Sequence, residues 1–197
     1  ELLALVKVKD TQSPYADWWE KIEANRRKYP FGFVDRDDII KPQRLIRSIN
    51  DRLKEERKKN RDVIVTTGVG AHQMWAAQYI DFDEPRTFLT SGGQGTMGFG
   101  LPAAIGAQFG RPDALVIDID GDGSIRMNIQ ELEVLAVEKL PVKVVILDNK
   151  YLGMVRQWQD GFYDGNLSSS DLRAVDFVKI ADAYGIAGRK IHEKRDL

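Results

Sequence analysis

VIDIDGDGS, residues 116 to 124, sets three aspartates at alternating positions and carries a β-branched apolar run straight into a glycine-rich turn. Asp118, Asp120 and Asp122 followed by Gly123 match the first half of a calcium loop, in which alternating oxygens surround the ion and glycine makes the sharp turn. The match ends there. The bidentate acid of the twelfth position would fall on Ile129, and the segment is entered from a strand where such a loop needs a helix. In a strand, side chains alternate between faces, so Asp118 and Asp120 share one face as the strand nears its polar end. Asp122 is left in the turn.

Working outward, VIVTT (63 to 67), TFLT (87 to 90) and VKVVILD (142 to 148) read like ALVIDID (114 to 120): short, β-branched and uniformly apolar, as strands buried on both faces are. Helical spacing of apolar residues lies between them, at 72 to 79, 101 to 109 and 129 to 139. Pro102 opens the second of these and Gly110 with Pro112 closes it, while Asn128 and Glu131 form a capping pattern for the third. Alternating strands and helices predict an α/β fold, a three-layer αβα domain around a mainly parallel sheet. In such sheets ligands sit beyond the carboxyl ends of the strands. The segments TGVGAHQ, SGGQGTMG, DGDGS and DNKYLG each follow a strand directly, so four loops are expected to converge.

Upstream of Asp62 the texture is helical. Residues 15 to 29 carry Trp18, Ile22 and Tyr29 on one stripe, with Ser13 and Pro14 at the start, and the stripe is expected to serve core or interdomain packing. After an irregular connector, residues 42 to 54 place Leu45, Ile49 and Leu53 four apart as a second helix. KEERKKNR, residues 54 to 61, mixes glutamates among its cations and reads as a solvated helix end.

Composition limits the partners. The 197 residues hold 29 Lys plus Arg against 30 Asp plus Glu, a formal charge of −1, which gives no field for steering nucleic acid or an anionic membrane. Cysteine is absent, which removes disulfides, thiolate zinc sites and cysteine nucleophiles. No apolar run reaches membrane-spanning length, and ELLALVKVKD lacks the layout of a signal peptide, so a soluble, cytoplasmic protein is expected, or one of an organelle stroma or matrix. Both ends read as cut from a longer polypeptide.

Two chemistries compete for the loops. Gly93, Gly95 and Gly98 spell G-x-G-x-x-G between a strand and a helix, as in dinucleotide-binding folds, although no acid beyond Asp113 or Asp118 follows at the expected place, and tight turns alone would explain the glycines equally well. Alternatively, Asp122 and Asn149 each follow a strand, with one helix between them. If those strands are neighbours, the two side chains offer hard oxygens to one cation, the backbone after Asn149 adds a carbonyl, and the glycines admit a diphosphate. Magnesium suits that arrangement.

At these residues the sequence resembles the thiamine diphosphate enzyme superfamily, whose motif begins with GDG and ends in an asparagine pair, here GDGS at 121 and DN at 148. Within it the chain closely resembles the catalytic subunits of the acetohydroxyacid (acetolactate) synthases, through VIVTTGVGAHQMWAAQ (63 to 78), TFLTSGGQGTMGFGLPAAIGAQ (87 to 108), VIDIDGDGSIRMNIQEL (116 to 132) and LPVKVVILDNKYLGMVRQWQDGFY (140 to 163). The resemblance implies that Asp122 and Asn149 ligate magnesium by side chain and Tyr151 by its carbonyl. It implies a diphosphate against Gly70, His72, Gly123 and Ser124, closed over by Leu152 and Gly153. Gly95 and Met97 would hold the aminopyrimidine, with Met97 wedging the cofactor into a bent shape. Met154 would border the reacting centre, and Trp158 would line the site for the second substrate.

The implied activity is decarboxylation of pyruvate and transfer of the remainder to a second 2-keto acid. The activating glutamate is expected from another domain of a partner chain, so no catalytic residue is expected within these 197 positions. A homodimer or higher oligomer, a regulatory subunit and FAD held mainly elsewhere complete the expectation. A related decarboxylase or oxidase, and a noncatalytic domain of the same fold, are the alternatives. Residues 1 to 40 are expected to be a connector and the tail of a central domain, and 41 to 197 a C-terminally truncated cofactor-binding domain. Three positions depart from the family pattern: Asp148 for asparagine, Ala71 for glutamine, and Gln94 for an apolar residue.

Overall fold

A computed structural model describes residues 15–197; Ser13, Pro14 and the opening ten residues lie outside the described residues. The chain divides into two compact units, residues 1–34 and 35–197. In the first, helix α1 (Ala16–Lys28) carries Asp17 in its first turn and Arg26, Arg27 and Lys28 in its last, which complements the helix dipole. Its aromatic stripe, expected to serve core or interdomain packing, is not buried among the described residues. Trp18 is 62% and Tyr29 65% exposed.

The second unit begins with helix α2 (Pro42–Lys58), one turn longer than the leucine spacing predicts. The extra turn is held by Glu56, whose carboxylate meets Lys59 at 3.0 Å and Arg52 and Arg61 at 3.6 Å each. Four strands follow, β1 (Val63–Thr67), β2 (Phe88–Thr90), β3 (Leu115–Gly121) and β4 (Lys143–Leu147), separated by helices α3 (Ala71–Tyr79), α4 (Gly100–Gly110) and α5 (Leu132–Val137). Every strand pairing is parallel, and the order is β2-β1-β3-β4. Helices α6 (Gly153–Phe162) and α7 (Phe177–Ala183) complete the unit.

Alternation along the strands builds the two outer layers. Val63, Val65, Ile117 and Ile119 join Ile46 and Leu53 of α2 and Ala76 of α3 in one core. On the other face Ile64 and Val116 pack with Ala104 of α4, and Leu101 and Ile105 of that helix meet Leu132 and Leu135 of α5. The expected αβα sandwich is therefore present. Leu53 is fully buried. Leu53→Ala is expected to cost about 2–5 kcal/mol, lowering the melting temperature by roughly 2–4 °C per kcal/mol; thermal unfolding followed by circular dichroism checks it, and a shift below two degrees would mean the α2 layer is dispensable.

Two helices differ from expectation. The pattern over 129 to 139 condenses to α5, preceded by 3₁₀ turns at Ile125–Met127 and Ile129–Glu131. Asn128 makes no side-chain cap; its amide instead donates to the Gly98 carbonyl at 2.9 Å, tying two loops together. Helix α6 coincides with GMVRQWQ, a segment for which the sequence reading predicted a binding role and no helix. Among the described residues no helix is long and apolar enough to cross a membrane.

The strand order positions the site. From β1 the chain passes to β2 on one side, then returns across β1 to β3 and continues outward to β4. Connections leaving the adjacent β1 and β3 run in opposite directions, and a crevice opens between them at their carboxyl ends.

Candidate functional site

A cleft of about 220 Å³ occupies that crevice. The loop after β1 contributes Gly70 and His72, the segment after β2 Gly95 and Met97, the turn after β3 Asp122, Gly123 and Ser124, and the loop after β4 Asn149, Tyr151, Leu152, Gly153 and Met154. Twelve of the thirteen residues singled out from the sequence thus line one cavity. Trp158 does not. It lies on α6, 58% exposed and 4.9 Å from the Phe162 ring, in an adjoining depression that shares Met154 and Val155 with the cleft.

Ser124 binds the loops together. Its hydroxyl oxygen accepts the Val69 amide at 3.1 Å and the Gly98 amide at 3.0 Å. With two acceptor positions filled inside the protein, Ser124 presents mainly its backbone to the cleft. Gly70 has φ +154° and ψ −163°, a region essentially confined to glycine, and a Cβ there would stand 2.9 Å from the His72 ring. At Gly123 a Cβ would meet the Leu152 side chain at 2.7 Å and the Leu172 side chain at 3.2 Å, so a larger residue in the floor beneath the β4 loop would push those leucines aside.

His72, in the first turn of α3, is 5% exposed, and burial lowers its pKa to about 4, leaving the ring neutral near pH 7. Its Nε2 stands 3.4 Å from Asp120 Oδ1. Asp118 and Asp120 are fully buried within β3, where Asp118 accepts the Thr66 hydroxyl at 2.9 Å and Asp120 accepts the Gly121 amide at 2.8 Å. Burial, and then the Asp120 charge, push the Asp118 carboxyl well up; burial pushes Asp120 up to about 6. These two acids belong to the strand, as expected, and do not line the cleft.

Asp122 differs from them by pointing at the second loop. Its Oδ2 accepts the Lys150 amide at 3.1 Å and stands 4.0 Å from the Arg126 guanidinium. Burial, followed by the Asp148 charge, raises its carboxyl pKa. Asp148 itself is paired with the Lys150 ammonium, so the extra charge that departs from the family pattern has a local counter-ion. Asn149 Oδ1 accepts the Tyr151 amide at 3.0 Å. Sequence reasoning had no assignment for Lys150, Arg126 or Arg156. An aspartate followed two residues on by lysine in a turn was the available signal for Lys150.

The donor set fits a diphosphate with a hard cation. Among the described residues no cluster of three or more His, Asp or Glu could hold an ion alone. One buried carboxylate, one amide oxygen and a neighbouring backbone carbonyl leave positions for phosphate oxygens, which is how magnesium is commonly bound. The bare glycine floor gives the anion a close approach. The dinucleotide reading fails on topology, because the G-x-G-x-x-G turn follows the edge strand β2 and not a strand of the switch point. Of its glycines, Gly98 is enclosed by Met127 and Asn128.

Comparison with known proteins gives a consistent picture. Residues 68–197 match the family described as thiamine pyrophosphate enzyme, C-terminal TPP binding domain. The chain is 45% identical over 191 residues to acetolactate synthase 2, chloroplastic, of Nicotiana tabacum, covering 93% of this chain and 28% of that protein. It is 44% identical over 198 residues to the acetolactate synthase isozyme 3 large subunit of Escherichia coli, covering 100% of this chain and 33% of that one. Among solved structures it is similar to the thiamine diphosphate-dependent 4-hydroxybenzoylformate decarboxylase of Rhodococcus jostii, with TM-score 0.73, 27% identity, 99% of this chain and 34% of that one. The chain thus spans about a third or less of the relatives it matches.

Proposed function

The chain belongs to the thiamine pyrophosphate enzymes through their C-terminal TPP-binding domain, and from that premise we propose that it is the diphosphate- and magnesium-holding part of an acetolactate synthase catalytic subunit. The observation that carries the reading is the meeting of Asp122, Asn149 and Tyr151 in one cleft at the β1/β3 crossover, floored by glycine. The resemblance to synthases along nearly the whole chain selects this activity among those of the family.

Asp122 and the side-chain oxygen of Asn149 hold magnesium, and Tyr151 adds its carbonyl. Backbone groups of Gly70, Gly123 and Ser124 line the diphosphate, and the neutral His72 ring stands beside it without adding a charge. Leu152 and Gly153 cover the anion from the β4 side, which excludes water and strengthens each polar contact. Gly95 and Met97 would seat the pyrimidine end, with the Met97 side chain packed against the cofactor. When bound, thiamine diphosphate supplies the electron sink for removing carbon dioxide from pyruvate. Met154 faces the reacting centre, and Trp158, next to it along α6, forms a flat apolar wall against the second 2-keto acid. Such a wall discriminates by about 1–3 kcal/mol per methylene.

The remainder of the machinery is assigned outside residues 41–197: an activating glutamate from a partner protomer, FAD in a central domain and a regulatory subunit. The compartment is the cytoplasm, or the stroma or matrix where the host is eukaryotic. Titration calorimetry tests the reading directly: thiamine diphosphate is expected to bind only with magnesium, nicotinamide dinucleotide not to bind, and the chain alone to form no acetolactate from pyruvate. Magnesium-independent binding would overturn the metal assignment, and robust acetolactate formation would overturn the need for other domains.

A further inference from the structure

The β4 loop carries one residue in the left-handed region of backbone space. Lys150 adopts φ +65°, a conformation that residues other than glycine seldom take. Around it the backbone is held at four points: Lys150 N–H to Asp122 Oδ2 at 3.1 Å, Tyr151 N–H to Asn149 Oδ1 at 3.0 Å, Leu152 N–H to the Ser170 carbonyl at 2.8 Å, and Leu172 N–H to the Lys150 carbonyl at 2.8 Å. The N–H and C=O of one trans peptide point in opposite directions. The Leu152 bond to Ser170 therefore turns the Tyr151 carbonyl away from residues 170–172. None of the four bonds acts on the Tyr151 side chain.

Arg156 does. Its amide donates to the Leu152 carbonyl at 2.9 Å, opening α6, while its guanidinium lies 3.8 Å from the centroid of the Tyr151 ring and 3.5 Å from Asp160 one turn on. One residue thus grips the loop by backbone and by side chain. We propose that Arg156 is a positioning residue for the metal-binding loop, whose guanidinium stacked on the Tyr151 ring fixes the peptide that presents the Tyr151 carbonyl. This rests on the cofactor reading above.

A planar guanidinium stacks where an ammonium does not, so lysine is an incomplete substitute. Cation–π contacts at half-exposed sites correspond to roughly three- to tenfold in an equilibrium. Removing the charge alone would act the other way, because a cation near a metal site repels the metal. The pair of variants Arg156→Met and Arg156→Lys separates the two. If stacking governs, both raise the magnesium concentration that half-saturates thiamine diphosphate binding, by about three- to tenfold for methionine and less for lysine. If charge governs, lysine behaves as wild type and methionine binds magnesium more tightly, and the proposal fails.

Two further readouts guard the interpretation. Tyr151→Leu is expected to reproduce Arg156→Met, and the double variant to be no worse than either, since one contact is removed twice; additive losses would overturn the proposal. In the ligand-free protein, amide hydrogen exchange at Leu152 and Leu172 is expected to speed up by a similar factor in Arg156→Met with the melting temperature almost unchanged. Unchanged exchange would also overturn it. Should wild type show no magnesium-dependent binding, the cofactor reading falls, and the exchange rates still decide whether Arg156 holds the loop.

Discussion

Asp122→Ala abolishes magnesium-dependent binding of thiamine diphosphate, with an expected loss of at least about 100-fold in affinity. The size follows from comparison: removing a residue that only orients a metal ligand typically weakens metal binding by roughly 10- to 100-fold, and Asp122 is the one carboxylate of the proposed set. Its loss also frees the Lys150 amide from its acceptor, so some disorder of the β4 loop would accompany the alanine variant. Asp122→Asn separates the effects. It keeps an acceptor for Lys150 and removes the charge, so it should retain the wild-type melting temperature while binding cofactor poorly. Asp148→Asn should leave the magnesium dependence in place, because Asp148 is already paired with Lys150. Calorimetric titration of cofactor at fixed magnesium measures all three. Undiminished magnesium-dependent binding by Asp122→Ala would remove the metal site from Asp122.

The parts of the fold legible in the sequence are those decided by burial. VIVTT is β1 to the residue, because five consecutive β-branched side chains can be accommodated only where both faces of a strand are covered. The convergence of four loops was legible for the same reason, since it follows from the order of strands and helices. What the sequence did not reveal depends on contacts between distant segments. Asn128 has the composition of a helix cap, yet the Gly98 carbonyl competes for its amide from 30 positions away. Helix α6 was hidden because its residues invited a reading as site. None of the described residues of α1 is buried, so its aromatic stripe carried no reliable sign of a core. Ser124 was legible as a site residue but not as the fastener of three loops, because nothing local to DGDGS indicates Val69 or Gly98 as its donors.

Asp118→Asn stabilises the ligand-free protein progressively relative to wild type as the pH rises from 4 to 8, because the buried carboxyl resists the ionisation that the unfolded chain undergoes and the amide has no such proton to lose. Asp118 is fully buried; Oδ1 accepts the Thr66 hydroxyl and Oδ2 has no hydrogen-bond partner. Because its folded pKa is raised above the ordinary 3.8, its contribution favours folding below that value and is lost as the pH rises through the folded pKa. Asparagine retains the acceptor for Thr66 and cannot ionise, so the gain should grow with pH. The neighbouring groups do not mask it. Asp120, raised to about 6, destabilises the fold as the pH climbs from 3.8 to 6, whereas His72, lowered to about 4, adds stability as the pH climbs from 4 to 6.5. Both groups are present in wild type and variant alike, so comparing the two proteins at each pH reads mainly the change at position 118. Urea unfolding of wild type and variant at pH 4, 6 and 8 measures the difference, and a gain that is equal at all three values, or a loss at pH 8, would show that Asp118 is not buried as a strained charge.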